Sequence, residues 1–295
     1  MMFKIMEKIA SLPLVNYVAY KIAKNWIAGK TLLDAINYSK KANTKCLDVI
    51  INYLGEELSN TKDVHNSVME YGEILSAIKR NKINGCISVK LTQLGLTIDK
   101  DLCIRNLITL AVVSKHLGKL IWIDMEGCNF VEDAIDIYLK VFSKNKNVGL
   151  CIQSYLRRSE DDIIRILRTG GNIRLVKGAY IESEDIAYKS KNDVYQNYKK
   201  LMEYLFKNSR GLFSIATHDD KLTSYAVELS KKYKRNFEFG MLKGIRDKLK
   251  SELLSKGFRV TEYVPYGENW LPYSIRRIRE NPSNIMLLAK SLIFK

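Results

Sequence analysis

Residues 120–125 read LIWIDM and residues 148–153 read VGLCIQ, and these two runs decide the fold. Neither run alternates apolar with polar residues, a pattern typical of strands that are buried on both faces of a sheet. The segment between them, residues 131–144, has helical periodicity. A buried strand, a helix and a second buried strand together predict parallel strands joined by a right-handed crossover.

The same unit recurs along the chain. Eight short β-branched or apolar runs, interpreted as strands, cover residues 47–53, 86–91, 120–125, 148–153, 173–177, 212–216, 236–240 and 258–263. The segments interpreted as the helices between them cover residues 62–80, 100–117, 131–144, 159–169, 192–207, 219–233, 245–255 and 272–292. Eight units in roughly 250 residues predict an α/β fold, a closed (β/α)8 TIM barrel. A doubly wound open sheet is the alternative, but no G-x-G-x-x-G motif follows any of the runs.

We expect two regions, an N-terminal helical extension over residues 1–45 and a catalytic barrel over residues 46–295. Within the extension, residues 14–28 and 31–42 have helical patterns. The apolar start of the chain is broken by Lys8, Pro13, Asn16 and Lys21, and falls far short of the roughly 20 apolar residues that a membrane span needs. The extension is therefore predicted to pack on the barrel, with contact to a membrane surface as the alternative.

Composition narrows the class of protein. Of 295 residues 46% are hydrophobic and only 4 are prolines, which is typical of a folded globular protein. The formal net charge of +16 permits binding to nucleic acid, anionic lipid or acidic substrates. Because no basic run is longer than two residues, we interpret the excess mainly as solvated helix faces. The five cysteines are isolated and lack metal-ligand spacing, which predicts reduced thiols in a cytosolic protein and no metal site.

Charged or reactive residues stand where six of the eight predicted strands end. They are Lys90, Asp124, Gln153, Arg174, Lys177, Thr217, His218 and Tyr263. Each has a simple structural explanation on its own, such as capping a carbonyl group or the next helix. In a (β/α)8 barrel, however, the carboxyl ends of the strands form the active site. A chance occurrence of such residues at six strand ends is much less expected than at any single one. The pattern therefore predicts a catalytic site at this face.

The last helical segment carries a second group of polar residues. Residues 263–280 read YVPYGENWLPYSIRRIRE. Proline fits the first turn of a helix, so Pro272 indicates that a helix begins there. From that point four residues share one face: Tyr273, Arg276, Arg277 and Glu280. Two guanidinium groups at one spot suit a carboxylate or a phosphate, although a solvated basic face is the simpler interpretation of this segment alone.

Together these residues would give the barrel mouth a strong positive charge. Lys90, Arg174 and Lys177 come from strand ends, and Arg276 and Arg277 come from the last helix. A buried cationic cluster needs anionic ligands. A phosphorylated cofactor together with a carboxylate substrate would satisfy it, and so would a sugar phosphate alone. The glycine that follows Lys177 would also allow the backbone to approach a pyrophosphate closely.

With these motifs the chain resembles the proline dehydrogenase family, flavin-dependent enzymes that oxidise proline to Δ1-pyrroline-5-carboxylate. The segments that carry the resemblance are YLGEE at 53–57, SVKLTQLGL at 88–96, IDMEG at 123–127, IQSYLRRS at 152–159, RLVKGAYIES at 174–183, ATHDD at 216–220, EFGMLKGIR at 238–246 and YVPYGENWLPYSIRRIRENPSN at 263–284. They follow one another in the expected order over about residues 45–290.

The resemblance implies a role for each matched residue. Lys90, Arg276 and Arg277 would hold the carboxylate of the substrate. Asp124 and Arg174 would form the catalytic pair. The residues expected to enclose the pyrrolidine ring are Leu175, Tyr180, Tyr263 and Tyr273. The residues expected to bind the FAD cofactor or lie beside it are Met125, Gln153, Arg174, Lys177, Gly178, Ala179, Thr217, His218 and Glu280.

Two residues receive finer roles from the resemblance. Tyr263 would close over the ring of the substrate and leave no room for a hydroxyl group, which implies a preference for proline over hydroxyproline. Asp124 is expected to orient Lys90 or a tyrosine and to balance positive charge, not to abstract a proton; a purely structural carboxylate is the alternative. Arg174 beside the isoalloxazine would stabilise the electron-rich reduced ring.

The chain departs from the family pattern in the segment EFGMLKG, residues 238–244. The family usually has glutamine where Gly240 stands and an aromatic residue or histidine where Lys243 stands. The two departures remove the basis for expecting a polar contact at the end of the seventh strand. Leu242, a plausible wall of the pocket, is retained.

The implied enzyme is a monofunctional proline dehydrogenase, a distorted (β/α)8 barrel with its last helix across the mouth as a lid. FAD would accept a hydride from L-proline in the first step of proline catabolism, and the electrons would pass to a quinone. Because the chain is too short to include an aldehyde dehydrogenase, a separate pyrroline-5-carboxylate dehydrogenase would take the product. We expect a cytoplasmic protein, and the charge of +16 motivates the hypothesis of peripheral contact with the inner face of the cell membrane.

Two other functions remain open from the residues. A Schiff-base aldolase on the same barrel would use Lys90 or Lys177 as its nucleophile. A basic protein that binds nucleic acid without catalysis is the third possibility. It is disfavoured, since aromatic residues are not interleaved with lysines as a stacking groove requires.

Overall fold

Eight strands form a closed parallel barrel in the computed structural model, which describes residues 13–280. Their bounds are β1 Asp48–Tyr53, β2 Gly85–Lys90, β3 Ile121–Asp124, β4 Val148–Gln153, β5 Asn172–Val176, β6 Phe213–Ala216, β7 Phe237–Leu242 and β8 Val260–Tyr266. The strands follow chain order around the barrel, and β8 closes the ring by pairing in parallel with β1, Ile50 opposite Tyr263. The predicted barrel is confirmed, and every predicted strand overlaps an observed one.

Helices surround the barrel and join its strands. Their bounds are α1 Pro13–Ala23, α2 Leu32–Asn43, α3 Thr61–Arg80, α4 Lys100–His116, α5 Val131–Phe142, α6 Ser159–Leu167, α7 Lys191–Asn208, α8 Asp220–Lys232, α9 Asp247–Ser255 and α10 Trp270–Glu280, with 3-10 turns at Leu91–Leu94 and Cys128–Phe130. Asn60, Asp99, Ser190 and Asp219 precede α3, α4, α7 and α8, and each side chain accepts hydrogen bonds from backbone N–H groups of the first turn. Such caps explain where these helices begin.

Two helix boundaries differ from the prediction. The first helix ends at Ala23, short of the predicted residue 28, because the chain turns there: the N–H groups of Trp26 and Ile27 both donate to the carbonyl oxygen of Ala23, at 2.9 Å. The last helix begins at Trp270, two residues before the predicted start, and its predicted continuation to residue 292 lies outside the described residues.

Strand alternation decides which side chains reach the interior of the barrel. On β5 the side chain of Arg174 crosses the interior to Ser88 and Asp124. Its neighbours Ile173 and Leu175 are fully buried in the apolar core, on the opposite face of the sheet, where the helices pack.

The extension occupies the place that the eighth helix of a barrel usually takes. Helix α2 packs against β8 and β1 on the outside of the sheet. Helix α10 instead reaches the carboxyl side of the barrel, where Tyr273 and Arg276 line a cavity together with the strand ends, and α1 packs against it. The predicted boundary at residue 45 stays a prediction, since both N-terminal helices pack directly on the rest of the fold.

Among residues 13–280, no helix combines the length and the apolar character that crossing a membrane requires.

Candidate active site

A cavity of about 780 Å³ opens at the carboxyl ends of the strands. It is lined by every predicted site residue except Leu175 and Glu280, so the structure brings together residues that lie as far apart in the sequence as Lys90 and Arg277. The side chain of Glu280 lies outside the described part of the structure. The roles of the lining residues stay predictions.

Asp124 lies at the centre of an ionic network in the cavity. Its Oδ2 atom accepts hydrogen bonds from Lys90 Nζ at 2.9 Å and from the Tyr263 hydroxyl at 2.7 Å. Its Oδ1 atom accepts from Ser88 Oγ at 2.6 Å and from the Arg174 guanidinium. Burial alone would raise the pKa of Asp124, but the charges of Lys90 and Arg174 outweigh burial and hold that pKa well below its usual range. Asp124 is therefore a carboxylate at neutral pH.

Lys90 is fixed in its charged form by this network. Its side chain is almost completely buried, which would lower the pKa of its amine, yet the charge of Asp124 raises that pKa well above the usual value. A Schiff base needs a neutral amine as the nucleophile. The structure therefore argues against Lys90 in the aldolase role.

Arg174 is held on several sides and keeps one unpaired group. Its Nε donates to Cys151 Sγ at 2.9 Å and its Nη2 donates to Ser88 Oγ at 2.9 Å. The guanidinium carbon lies 5.2 Å from the ring centre of Trp122 and 5.5 Å from that of Tyr263. Burial raises the pKa of Cys151 to about 12, so the sulfur is a neutral thiol. Arg174 Nη1 is buried without a hydrogen-bond partner among the described residues.

Gln153 presents a complementary group. Its Nε2 donates to the carbonyl oxygens of Met125 and Glu126, both at 3.4 Å. Its Oε1, like Arg174 Nη1, is buried and has no hydrogen-bond partner in the part of the chain that the structure describes. Leaving such groups unsatisfied is costly. A ligand that offers both an acceptor and an N–H donor would satisfy them together.

The loop after β5 forms one wall of the cavity. Gly178 has a φ of +112°, and a Cβ atom there would collide with the ring of Tyr155, so only glycine fits. Lys177 lies beside it with Nζ 3.2 Å from Asp219 Oδ2, and both side chains are partly exposed. The loop therefore combines a partly exposed cation with a backbone that a ligand can approach closely.

His218, after β6, lines the cavity as a neutral imidazole. Its Nε2 accepts a hydrogen bond from the backbone N–H of Leu242 at 2.9 Å. Burial, followed by the nearby charges of Lys250 and Arg277, lowers the pKa of His218 to about 3. The remaining proton is therefore on Nδ1, which can donate to a ligand.

The two arginines of α10 meet protein partners in this structure. Arg276 forms a two-pronged ion pair with Glu56, with Nη1–Oε2 and Nη2–Oε1 distances of 3.1 and 2.5 Å. The hydroxyl of Tyr180 also reaches Glu56, at 3.4 Å, and the Arg276 guanidinium lies 5.6 Å from the ring centre of Tyr180. Arg277 lies 5.1 Å from the ring centre of Tyr273. A predicted carboxylate-binding group is thus already bound to a carboxylate.

One predicted site residue is misplaced. Leu175 is fully buried in the core, between the sheet and the helices, and does not line the cavity. The reason is strand alternation: with Arg174 pointing into the barrel, its neighbour must point outward. The structure corrects the prediction that Leu175 encloses the substrate, whereas Leu242 does line the cavity.

Several residues in direct contact with the predicted site were not singled out from the sequence, among them Glu56, Ser88 and Cys151. Glu56 pairs with Arg276, while Ser88 and Cys151 bind Arg174. Ser88 and Cys151 each lie two residues before the end of a strand, and Glu56 lies in the loop after β1; Glu56 and Ser88 are inside the YLGEE and SVKLTQLGL segments. The signal that could have found Ser88 and Cys151 is strand alternation, since a residue two positions before Lys90 or Gln153 points to the same side of the sheet.

The two departures from the family pattern have separate outcomes. Gly240 lines the cavity, and a Cβ there would lie 2.9 Å from Ser214 Oγ, so a larger side chain would need its neighbour to move. Lys243 does not line the cavity; its Nζ donates to the carbonyl oxygens of Lys24 at 2.7 Å and Asn25 at 3.2 Å. A polar contact is present at this strand end after all, and it is made with the N-terminal extension.

Known proteins match this chain over nearly its whole length. The sequence model of the family described as proline dehydrogenase matches residues 35–289. The chain is 33% identical over 287 residues to proline dehydrogenase 2 of Bacillus subtilis strain 168, covering 93% of this chain and 94% of that protein. It is 29% identical over 297 residues to the proline dehydrogenase of Deinococcus radiodurans, covering 97% of this chain and 96% of that one.

Among solved structures, proline utilization A from Bdellovibrio bacteriovorus, inactivated by N-propargylglycine, superposes with a TM-score of 0.82 at 24% identity. The match covers 88% of this chain and 33% of that longer polypeptide, so this chain spans about a third of it. At this identity the likeness shows the fold alone. The resemblance seen in the sequence is confirmed, and because the family match runs through every strand of the barrel, the chain belongs to the proline dehydrogenase family.

Proposed function

We propose that this enzyme oxidises L-proline to Δ1-pyrroline-5-carboxylate in the cavity at the carboxyl ends of the strands, with FAD as its cofactor. Its family makes it a flavin-dependent oxidoreductase that acts on proline. The observation that carries the residue-level account is the network in which Asp124 holds Lys90 and Arg174 beside one cavity, with Arg276 above it.

The polar groups of the cavity fit a flavin. The pyrimidine edge of an isoalloxazine presents carbonyl oxygens and an N–H group, which would pair with Arg174 Nη1 and Gln153 Oε1. The Nδ1 proton of His218 offers a further donor. Lys177 and the backbone at Gly178, where a ligand can approach closely, would hold a diphosphate, the group that FAD has and FMN, with a single phosphate, lacks. When bound, the flavin supplies the acceptor for the hydride that leaves the substrate.

The carboxylate of proline would bind to Lys90, Arg276 and Arg277. All three line the cavity, and Lys90 is held as an ammonium by Asp124. Binding by Arg276 would exchange one carboxylate, that of Glu56, for another. With the charged end fixed, the apolar ring of proline would be confined among the side chains of Tyr180, Tyr263 and Tyr273. This confinement would fix the position of the reacting carbon of the ring.

Asp124 would act by orientation. Both of its oxygen atoms already accept hydrogen bonds, and its pKa lies well below the usual range. A general base must be able to hold the proton that it removes. Asp124 would therefore fix the ammonium of Lys90 and the hydroxyl of Tyr263, and the substrate amine would have to lose its proton to another acceptor before oxidation.

The visible spectrum of the purified protein tests this function. We expect flavin absorption bands that bleach when L-proline is added, and FAD as the compound released on denaturation. A protein that shows no flavin bands even after incubation with FAD would contradict the proposal. Release of FMN in place of FAD would overturn the assignment of the cofactor while leaving the flavin chemistry intact.

The electron acceptor is proposed to be a quinone, reached by peripheral contact of a cytoplasmic enzyme with the inner face of the cell membrane. The net charge of +16 supports attraction to anionic lipid, which weakens as salt rises. Sedimentation with vesicles of anionic lipid at low and high salt tests the contact. A protein that stays in the supernatant at low salt would contradict it. The product would pass to a separate pyrroline-5-carboxylate dehydrogenase.

A further inference from the structure

Lys243 is a buried cation outside the cavity, and its position calls for an explanation. It is 7% exposed, and its Nζ donates to the carbonyl oxygens of Lys24 and Asn25 at 2.7 and 3.2 Å, while the ring centre of Tyr38 lies 4.6 Å away. The two carbonyls follow the end of α1, where the partial charge of a helix is negative. Lys243 therefore caps the first helix and ties it to the loop after β7.

The carbonyls belong to residues 24–29, here called the anchor segment, which is fixed at several points. The N–H of Ala28 donates to the carbonyl of Pro265 at 2.8 Å, and the N–H of Gly267 donates to the carbonyl of Gly29 at 3.1 Å. Gly244, next to Lys243, approaches so closely that a Cβ atom there would collide with the carbonyl oxygen of Asn25. The loop after β7, the end of β8 and the residue that follows β8 thus hold the anchor segment in place.

From this segment Trp26 reaches the helix that covers the cavity. Its indole is 1% exposed, and its Nε1 donates to Ser274 Oγ on α10 at 3.0 Å. Ser274 in turn donates to the carbonyl of Trp270 at 2.8 Å, within the same helix. Apolar contacts surround this hydrogen bond: Ile22, Ala23, Ile27, Leu54, Trp270 and Tyr273 form one buried cluster with Trp26.

We propose that Lys243 and Trp26 are positioning residues that set where α10 holds Arg276 and Arg277 over the substrate. The inference rests on the proposed role of these arginines in binding the carboxylate. Lys243 fixes the anchor segment, Trp26 transmits its position to Ser274, and Ser274 lies in the turn before Arg276. Substrate affinity would thus depend on an ammonium group that does not line the cavity.

The location of α10 explains why such a support is needed. Arg174 is positioned by the strand β5, which is hydrogen-bonded on both sides within the sheet. Helix α10 lies at the mouth of the barrel, outside the sheet, and its place is not fixed by such hydrogen bonds. Arg276 must reach a small carboxylate in a defined geometry, and a displacement of about 1 Å is enough to weaken such binding severely. Removing the ammonium of Lys243 would leave the carbonyls of Lys24 and Asn25 without their charged donor, and the anchor segment would lose its tie to the loop after β7.

The variants Lys243→Met and Trp26→Phe test the proposal in the holoenzyme. Each keeps most of the buried volume and removes the donor. Each should raise KM for proline about tenfold while kcat changes less than about threefold, the signature of impaired binding of the substrate. FAD content should be unchanged. The dissociation constant of tetrahydrofuran-2-carboxylate, whose ring oxygen replaces the amine, should rise in parallel, as seen from its perturbation of the flavin spectrum.

Lys250→Met is the matched control. Lys250 is also a buried ammonium of this region, but it pairs with Glu262 and, at 2.8 Å, with Asp247. Its loss should lower the melting temperature and leave KM for proline within about twofold of the parent value, since destabilisation alone does not remove a contact with substrate. An equal rise of KM in this variant would reduce the effect of Lys243 to general destabilisation and overturn the proposal.

The double variant Lys243→Met/Trp26→Phe tests whether the two residues act along one path. Its KM should rise no further than that of the larger single variant, because residues that share a path are not additive. Independent, multiplied effects would contradict the proposal, as would unchanged KM in both single variants. Should Lys243→Met fail to fold, Ser274→Ala must still reproduce the effect of Trp26→Phe. If Arg276→Met raises KM but these variants do not, only the positioning role fails; if Arg276→Met leaves KM unchanged, the proposed function fails first.

Discussion

Arg276 on α10 and Glu56 in the loop after β1 are 220 positions apart in the sequence and form a two-pronged ion pair, with nitrogen–oxygen distances of 3.1 and 2.5 Å. Both side chains are about one-fifth exposed, so the pair is partly shielded from water. It joins the helix over the cavity to the rim of the barrel. The same guanidinium is the group proposed to bind the substrate, so its pairing bears directly on how proline enters.

Arg276→Met should weaken the binding of proline while leaving the flavin bound. The substitution keeps the aliphatic bulk and removes a charged, bidentate partner of the carboxylate, a loss of about 2–3 kcal/mol, or roughly 100-fold in KM. Steady-state kinetics and the flavin content of the purified variant check this. Arg276→Lys keeps the charge but loses the two-pronged geometry of the guanidinium, so its KM for proline is expected to lie between those of the parent and of Arg276→Met. A variant with normal KM would show that this arginine does not hold the substrate.

Glu56→Ala tests whether the ion pair orients Arg276 or competes with the substrate. We expect orientation to dominate, because without Glu56 the guanidinium is free to turn towards water, and kcat/KM for proline should fall about 3–10-fold, less than for Arg276→Met. The comparison of kcat/KM for the two variants at equal salt concentration is the measurement. A rise of kcat/KM in Glu56→Ala would mean that Glu56 acts as a competitor.

Asp124→Asn should damage both stability and activity. It leaves the buried cations Lys90 and Arg174 without their carboxylate, which costs roughly 3–5 kcal/mol when a buried pair is broken. The folded-state pKa of Asp124 lies below its unfolded value, so the carboxylate stabilises the fold above pH of about 4 and this contribution is lost as the pH falls through the folded-state pKa. The difference in melting temperature between parent and variant should therefore shrink in acid. A constant difference across pH would contradict this account.

The contribution of Glu126 to stability is expected to depend on pH with the opposite sign. It is 4% exposed and accepts hydrogen bonds from the backbone N–H of Thr92 at 3.1 Å and from its hydroxyl at 2.5 Å. Burial raises the pKa of Glu126 from 4.5 to about 7. Between these values the folded state binds more protons than the unfolded one, so the stability falls as the pH rises, by up to about 3 kcal/mol.

Glu126→Gln should remove this fall, since glutamine does not titrate. Denaturant unfolding of parent and variant at several pH values between 4.5 and 7 provides the test, and the variant should gain stability relative to the parent as the pH rises. Parallel curves for the two proteins would mean that Glu126 does not carry the proton.

Tyr263→Ser should change the choice of substrate. The tyrosine hydroxyl is fixed on Asp124 at 2.7 Å, and its ring forms part of the cavity wall, so it cannot move aside for a larger ring. Serine would open that space, and the contact between the tyrosine ring and the ring of proline would be lost. We expect a lower kcat/KM for proline and a ratio of hydroxyproline to proline activity that rises about tenfold or more. An unchanged ratio would show that another residue excludes the hydroxyl.

Local sequence patterns were sufficient for the fold and for most of the cavity. Runs such as LIWIDM and VGLCIQ are strands because their apolar residues are continuous, and a chain of such units closes into a barrel through rules of connection that need no knowledge of side-chain contacts. Since all strands of a barrel present their carboxyl ends at one face, residues such as Lys90, Asp124 and Gln153 could be grouped before any contact was known.

A sequence motif does not show which of its residues point into the cavity, because the side chains of a strand alternate between its two faces. Arg174 and Leu175 belong to the same segment, yet one lies in the cavity and the other in the core, because adjacent residues of a strand face opposite sides. The motif carried both into the predicted site, and only the register of β5 separates them.

The sequence by itself thus determined the barrel, the face that carries the chemistry and the family. Tertiary structure alone decided that Glu56 pairs with Arg276 and that Lys243 supports the N-terminal helix. The physical reason is distance along the chain. Periodicity and strand ends can be recognised from residues that are neighbours in the sequence. A contact across more than 200 positions depends instead on how the closed barrel, the extension and α10 pack against one another.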